Sequence, residues 1–222
     1  MTCNPDHYNP ASIADIVFPT QYSCDVIHDI VNGALPFPAS GINGILLYGV
    51  PGTGKSALAK LLPDEMELAR SGELPNTKYV QVKQGNNGAS VINQVANQSI
   101  VVPLSGRYHY FVLDEVDNLT APAMRSLKSA MNSPNSIFIL TTNYINEIES
   151  SVQDRCHRLA FNAAPAPLWL PLFRRVLADM DAITPADNAL LPIIEDCKGS
   201  ARKVVSAAFQ IASKQKRMTL LT

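Results

Sequence analysis

The sequence predicts a three-layer α/β domain with a parallel sheet, followed by a small all-helical domain. A Gly-rich loop stands between an apolar run typical of a buried strand and a segment typical of a helix. A second apolar run ends in two adjacent carboxylates, and beyond a Pro/Ala-rich stretch the patterns are helical only. We therefore predict an α/β core over residues 1–163 and a helical domain over residues 164–222.

Composition and charge narrow the class of protein. The chain has 222 residues, of which 46% are hydrophobic and 17% charged, as in ordinary globular proteins. Its formal charge of −1 gives no overall basic surface for nucleic acid, so any DNA contact needs a local patch.

The cysteines and the apolar runs indicate the compartment. Cys3, Cys24, Cys156 and Cys197 show no Cys-x-x-Cys spacing and no nearby paired histidines, which disfavours zinc and favours reduced thiols. No run approaches about 18 apolar residues, and the amino-terminal residues lack the pattern of an export signal. We expect a cytoplasmic protein with no membrane partner.

The elements follow in order from their periodicity. Residues 20–33 predict a helix that ends at Asn32-Gly33, and residues 45–48 a buried strand before the Gly-rich loop. Strands are predicted at 79–82, 108–115, 137–143 and 159–161. Helices are predicted after the loop, at 90–97, 119–132, 168–180 and 185–197, and from near residues 199–202 to about 214.

The Gly-rich loop, residues 49–56, fits the phosphate-loop pattern G-x-x-x-x-G-K-[ST] at every fixed position. Its glycines let backbone N–H groups converge on phosphate oxygens, and the positive end of the following helix favours the same anion. A chance Gly-rich turn is the alternative. We assign ATP binding to Gly49, Pro51, Gly52, Thr53, Gly54, Lys55, Ser56 and Ala57, with Lys55 on the β- and γ-phosphates and the Ser56 hydroxyl on Mg²⁺.

The two carboxylates at the end of residues 108–115 match the Walker B arrangement. Asp114 would orient Mg²⁺ through its water shell, and Glu115 would take a proton from the attacking water. An ordinary strand end with solvated acids is the alternative.

The next strand and the helix before it give weaker signals. Asn143 follows the apolar run 137–142, where it could hold the attacking water or a γ-phosphate oxygen, or only start a turn. Arg125 and Lys128 share one face of the helix 119–132, either as a phosphate-contacting pair or as a solvated face.

Taken together, the motifs resemble those of AAA+ ATPases, and within them the small subunits of clamp loaders. Residues 113–120 (Leu-Asp-Glu-Val-Asp-Asn-Leu-Thr) are similar to that family's Leu-Asp-Glu-Ala-Asp-x-Leu-Thr. The Asn-Tyr at 143–144 and the Asp-Arg-Cys at 154–156 resemble its sensor-1 and Ser-Arg-Cys motifs. The Gly-Ser-Ala-Arg-Lys at 199–203 resembles its sensor-2 motif in a helical lid.

The resemblance implies roles that the residues alone do not. Arg155 would be an arginine finger that reaches the γ-phosphate of a neighbouring subunit, and Arg202 would contact the nucleotide of its own subunit. Tyr8, Ile16 and Val17 would wrap the adenine. Partners would be the chain's own or homologous AAA+ subunits, DNA, and a sliding clamp or a helicase.

The chain also departs from the family pattern. Asp154 replaces the serine before the finger, and Val82 stands where a polar residue would restrain Glu115. The family's collar domain has no counterpart after residue 210, so assembly is expected to use the ATPase and lid surfaces or another protein.

The sequence leaves three functions open. The first is a DNA-associated ATPase of clamp-loader type that acts in replication, with Lys55, Glu115, Asn143 and Arg155 as its catalytic residues. The second is a helicase loader or another DNA-remodelling AAA+ ATPase. The third is an ATP-switched structural subunit with little turnover.

Overall fold

The computed structural model describes residues 4–103 and 105–219, so the predictions that concern Cys3 lie outside the described residues. The chain packs as two compact units. One, here called the sheet unit, comprises residues 20–49 and 55–161. The other, the helical unit, comprises the residues up to 19, residues 50–54 and the residues from 162 on.

The sheet unit is built on five parallel strands in the order β2-β3-β4-β1-β5. The strands are β1 Gly44–Tyr48, β2 Asn76–Gln81, β3 His109–Asp114, β4 Ser136–Thr142 and β5 Cys156–Ala160. Strands β3 and β4 are buried along their whole length, as expected for parallel strands covered on both faces. The α/β fold class with a parallel sheet is therefore confirmed.

Helices flank the sheet and make up most of the helical unit. In the sheet unit they are α1 Gln21–Asn32, α2 Lys55–Ser71, α3 Ala89–Ser99, α4 Ala121–Ala130 and α5 Ser150–Gln153, with 3-10 turns at Val116–Asn118 and Ile145–Glu147. In the helical unit they are α6 Leu170–Asp179, α7 Asp187–Asp196 and α8 Ala201–Thr219, with 3-10 turns at Pro5–Tyr8, Ile13–Asp15 and Ala166–Trp169. None of the helices in the described residues is long and apolar enough to cross a membrane.

Local sequence explains where helix α1 begins and ends. The Thr20 hydroxyl accepts a hydrogen bond from the Ser23 N–H at 3.2 Å, which caps the first turn. Gly33 takes a left-handed conformation with φ 76°, which lets the chain leave the helix without steric cost.

Strand β2 begins earlier than predicted, at Asn76 rather than Tyr79. Its first residues are polar, but each pairs with a residue of the buried neighbour β3, beginning with Asn76 opposite His109. The extension matters because it makes β2 run the full length of β3 to Asp114.

The helical unit has its own apolar core and includes the amino-terminal segment. Buried residues from its helices form this core: Trp169, Phe173, Val176, Leu177, Leu190, Ile194, Val204 and Ala208. Tyr8 belongs to the same cluster, since its ring lies edge-on to Phe209 at 5.8 Å and its hydroxyl donates to Asp179 at 3.0 Å. Residues 4–19 therefore pack with the helices that follow residue 162.

Candidate active site

Parallel strands bring the predicted site residues of the sheet unit to one edge. Gly49, Asp114 and Asn143 stand at or just after the carboxyl ends of β1, β3 and β4. These three strands are neighbours in the sheet, and ligands of open α/β sheets bind outside this edge.

The loop residues 50–54 belong to the helical unit. Gly52 and Gly54 have φ angles of 85° and 100°, a backbone conformation that residues with a Cβ atom rarely adopt. A Cβ on Gly52 would lie 2.6 Å from the Ser200 Oγ, and the Gly52 carbonyl accepts the Ala201 N–H at 3.0 Å. A Cβ on Gly54 would meet nothing within 4 Å, so this part of the loop leaves open space beside its backbone.

Lys55 begins helix α2, and its ammonium group is kept close to the loop. Its Nζ donates to the Gly49 carbonyl at 2.8 Å, and the residue is only 6% exposed. A nearly buried cation at the start of a 17-residue helix adds its charge to the positive helix end, which suits a polyphosphate anion.

Three hydroxyl groups donate hydrogen bonds to the carboxylate of Asp114, a residue that is only 5% exposed. Its Oδ1 accepts the Ser56 hydroxyl at 2.7 Å and the Thr141 hydroxyl at 2.5 Å, and its Oδ2 accepts the Tyr79 hydroxyl at 2.8 Å. Hydroxyl and carboxylate oxygens are ligands that Mg²⁺ prefers, so the contact between Ser56 and Asp114 fits a Mg²⁺ ion bound with a nucleotide.

Two of these partners, Tyr79 and Thr141, were not predicted from the sequence. A tyrosine or a threonine in a strand is ordinary, and their contacts depend on β2 and β4 lying on either side of β3. Burial, and secondarily the hydrogen bond to Asp114, raises the pKa of Tyr79, so its hydroxyl remains a donor throughout the physiological range.

Glu115 leaves the strand in a strained conformation. Its φ is 62° and its ψ 52°, the left-handed region that costs a residue with a side chain on the order of 1 kcal/mol or more. Its N–H donates to the same Thr141 hydroxyl at 3.0 Å, so one side chain holds both Walker B residues. The half-buried Glu115 is thus displaced from the line of the strand at the sheet edge.

Asn143 follows β4 directly and is half-buried. Its N–H donates to the Asp117 Oδ1 at 3.3 Å, which fixes its backbone beside the turn after Glu115. The predicted contact of its side chain with water or phosphate stays a prediction.

Arg155 lies away from this edge. It precedes β5, and its carbonyl accepts the N–H of Gly44 at the start of β1, which places it at the amino edge of the sheet. The length of a strand and three strand spacings separate it from Asp114, roughly 20 Å in all. Arg155 therefore does not join Lys55, Asp114 and Glu115 in a single site of this chain.

The guanidinium of Arg155 is held within the chain. Its Nε and Nη2 donate to the Asn132 Oδ1 at 3.3 and 3.1 Å, and its Nη1 donates to the Ser151 carbonyl at 2.7 Å. Among the described residues its partners are therefore Asn132 and Ser151 rather than Asp154, the acid that the sequence placed beside it.

The predicted adenine and sensor-2 residues lie in the helical unit. Tyr8 and Ile16 are buried, Val17 packs against the core of that unit, and Arg202 is exposed in the first turn of α8. The Arg175 guanidinium lies 5.3 Å from the Tyr8 ring centroid. Their contacts with a nucleotide remain predictions.

The predicted DNA pair lies on α4. Arg125 is exposed, while the Lys128 ammonium lies 3.7 Å from the Glu149 carboxylate. The pKa of Glu149 is lowered chiefly by a hydrogen bond from the Ser151 hydroxyl, and also by the charges of Lys128 and Arg125. An acid thus offsets part of this local positive charge.

The chain is similar to known proteins in sequence and in fold. Residues 45–163 match the family model described as ATPase family associated with various cellular activities (AAA). The chain is 27% identical over 219 residues to replication factor C small subunit 2 of Pyrobaculum islandicum, covering 96% of the chain and 65% of that protein. It is 28% identical over 208 residues to replication factor C small subunit of Thermofilum pendens, covering 90% of the chain and 60% of that protein.

Solved structures share the fold. The RuvB Holliday junction branch migration motor of Thermotoga maritima superposes with a TM-score of 0.74 at 16% identity, over 96% of the chain and 67% of that structure. A DNA polymerase III gamma subunit-related protein of the same organism superposes with a TM-score of 0.55 at 15% identity, over 86% of the chain and 59% of that structure. The chain thus spans a little under two thirds of the length of the curated relatives it matches.

Proposed function

Because the chain belongs to the family of ATPases associated with various cellular activities, we propose that it is an ATP-hydrolysing subunit of clamp-loader type that assembles on DNA in replication. The observation that carries the proposal is the cluster at the sheet edge, where the Ser56 hydroxyl and the Asp114 carboxylate meet at 2.7 Å beside Glu115. The similarity to replication factor C small subunits supports the choice of this type.

The residues of the sheet unit divide the chemistry between them. Lys55 would bind the β- and γ-phosphates, and the Ser56 hydroxyl and the Asp114 carboxylate would hold Mg²⁺. Mg²⁺ held there would neutralise charge on the phosphates. Glu115 accepts a proton from the attacking water, and Asn143 orients that water or a γ-phosphate oxygen.

We propose that Arg155 acts on the nucleotide of a neighbouring subunit. Its position at the amino edge, roughly 20 Å from Asp114, supports action in trans because it lies far from the site of its own chain. A guanidinium has five N–H donors, and three of them bind Asn132 and Ser151. Those contacts fix the direction of the guanidinium, and its other two N–H donors, which have no partner among the described residues, can bind an anion.

The proposed partners are further AAA+ subunits, DNA and a sliding clamp. Arg125 and Lys128 are the DNA contacts proposed on α4, with Lys128 partly neutralised by Glu149. Tyr8, Ile16, Val17 and Arg202 are proposed to bind ATP, by analogy with the relatives.

The test is ATP hydrolysis as a function of protein concentration, with and without primed DNA, for the wild type and Arg155→Ala. A rate per subunit that rises with concentration and DNA, and falls about 10³-fold in Arg155→Ala, is expected from the usual contribution of an arginine finger. Arg158→Ala is the matched control, since Arg158 is an exposed arginine three residues further on.

A rate that is independent of concentration, of DNA and of Arg155 would refute the clamp-loader proposal. ATP binding without measurable turnover would instead indicate the ATP-switched structural subunit. If the chain hydrolyses ATP but captures a replicative helicase and no sliding clamp, the helicase-loader alternative would replace it.

A further inference from the structure

The side chain of Tyr79 lies on the face of the sheet that carries the Walker B carboxylate. In the parallel register Tyr79 pairs with Val112 and Gln81 with Asp114. Because side chains alternate along a strand, Tyr79, Gln81, Val112 and Asp114 project to one face, on which Tyr79 and Asp114 are diagonal neighbours. One strand spacing and a rise of two residues put their backbones about 8 Å apart, a distance that a phenol can bridge and a shorter side chain cannot.

The phenol of Tyr79 makes one contact through its hydroxyl and another over its ring. Its hydroxyl donates to the Asp114 Oδ2 at 2.8 Å, and the Lys60 ammonium of helix α2 lies 4.6 Å from the ring centroid. In the part of the chain that the structure describes, Tyr79 supplies the hydrogen bond to Oδ2, while Ser56 and Thr141 both donate to Oδ1. The Oδ2 atom is therefore held from β2, and the Oδ1 atom from β4 and helix α2.

Val82 stands where the family has a polar residue that restrains Glu115, and its apolar side chain cannot hydrogen-bond to either Walker B carboxylate. Val82 is fully buried and belongs to the core beneath α3 and α4, on the face of β2 opposite to Tyr79. Strand β2 therefore reaches the Walker B carboxylate through Tyr79.

We propose that Tyr79 is a positioning residue that fixes the orientation of the Asp114 carboxylate for Mg²⁺ bound with ATP. The proposal rests on the ATPase function proposed above. Without the bond to Oδ2, only the two hydrogen bonds to Oδ1, from Ser56 and Thr141, restrain rotation of the carboxylate about its last torsion.

The test is Tyr79→Phe, which removes one hydroxyl and keeps the ring beneath Lys60. A fluorescent ATP analogue is titrated with protein, first without metal and then over a range of Mg²⁺ concentrations. We expect the Mg²⁺ concentration at half-saturation to rise about tenfold, the usual effect of losing a partner of a metal ligand, while the metal-free affinity is unchanged. Tyr22→Phe is the matched control, since Tyr22 is 68% exposed on α1, and it should bind like the wild type.

The outcomes separate the two proposals. If the wild type binds Mg²⁺ and the analogue but Tyr79→Phe requires the same Mg²⁺ concentration, the role of Tyr79 is refuted and the proposed ATPase function stands. If the wild type binds no nucleotide, the proposed function fails and the role of Tyr79 fails with it. If Tyr79→Phe loses metal-free affinity and melts at a lower temperature, Tyr79 stabilises the fold and the positioning role is refuted.

Discussion

The Thr141 hydroxyl contacts both Walker B residues, so its removal tests how the site is held together. Thr141→Val keeps the shape of the side chain but removes the group that donates to Asp114 at 2.5 Å and accepts from the Glu115 N–H at 3.0 Å. Thr141 is 1% exposed, so water cannot replace the lost hydroxyl.

The magnitude follows from these two bonds. A hydrogen bond to a charged group contributes about 1.5–3 kcal/mol, and Asp114 keeps two other donors, which limits its share of the loss. The Glu115 N–H loses its partner in a backbone conformation that is already strained. We expect the free energy of unfolding to fall by about 2–3 kcal/mol, which for a chain of this size lowers the melting temperature by about 5–10 °C.

The assay is thermal unfolding of Thr141→Val, Thr141→Ser and the wild type, with ATP hydrolysis measured on the same preparations. Thr141→Ser keeps the hydroxyl, so it should recover most of the stability and of the rate. Wild-type stability in Thr141→Val would refute the reasoning, because it would mean that the hydroxyl neither holds Asp114 nor supports the conformation of Glu115.

Three further predictions concern the sheet and the base. Gly44→Ala should lower the free energy of unfolding by about 1–3 kcal/mol, because the new Cβ would lie 2.7 Å from the Met131 Cε and would clash with the Cys156 Sγ. An unchanged midpoint in denaturant unfolding would contradict this packing. Burial raises the pKa of Cys156 from 9.0 to about 12, so as the pH rises the thiol loses its proton in the unfolded chain before it does so in the folded chain. Above pH 9 this difference should lower the free energy of unfolding by about 1.4 kcal/mol per pH unit. Denaturant titrations at pH 8 to 10.5 should show a smaller slope in Cys156→Ala, and equal slopes would argue against a buried neutral thiol. Glu115→Gln should bind ATP but release phosphate at a small fraction of the wild-type rate, whereas Lys55→Ala should lose both, and steady turnover in Glu115→Gln would exclude Glu115 as the base.

Local signals predicted much of the fold. Helix α1 begins after Thr20 and ends before Gly33, because capping depends on a few neighbouring residues. The Gly-Lys-Ser pattern likewise predicts the loop before α2 from a few residues. The apolar run before Asp114 predicted β3 because a strand that is buried on both faces consists almost entirely of apolar residues.

Long-range register could not be predicted in this way. The contacts of Tyr79 and Thr141 with Asp114 require three strands to be aligned residue by residue, and no local pattern encodes that alignment. The hydrogen bonds from Arg155 to Asn132 are of the same kind, since they join the end of α4 to the residue before β5. From the sequence alone, the acid beside Arg155 is Asp154, its immediate neighbour in the chain.

The order of the strands also has a consequence for how the chain folds during synthesis. Strand β1 is made first, yet its two partners in the sheet, β4 and β5, are made last. Until β4 leaves the ribosome, the apolar Ile45–Leu47 run has no strand beside it, and β2 and β3 pair without the centre of the sheet. Closing so many distant pairs is slow, and exposed apolar strands are prone to aggregate in the meantime. The arrangement that places β1 between β4 and β5 therefore leaves an apolar strand unpaired in the nascent chain until the last strands are made.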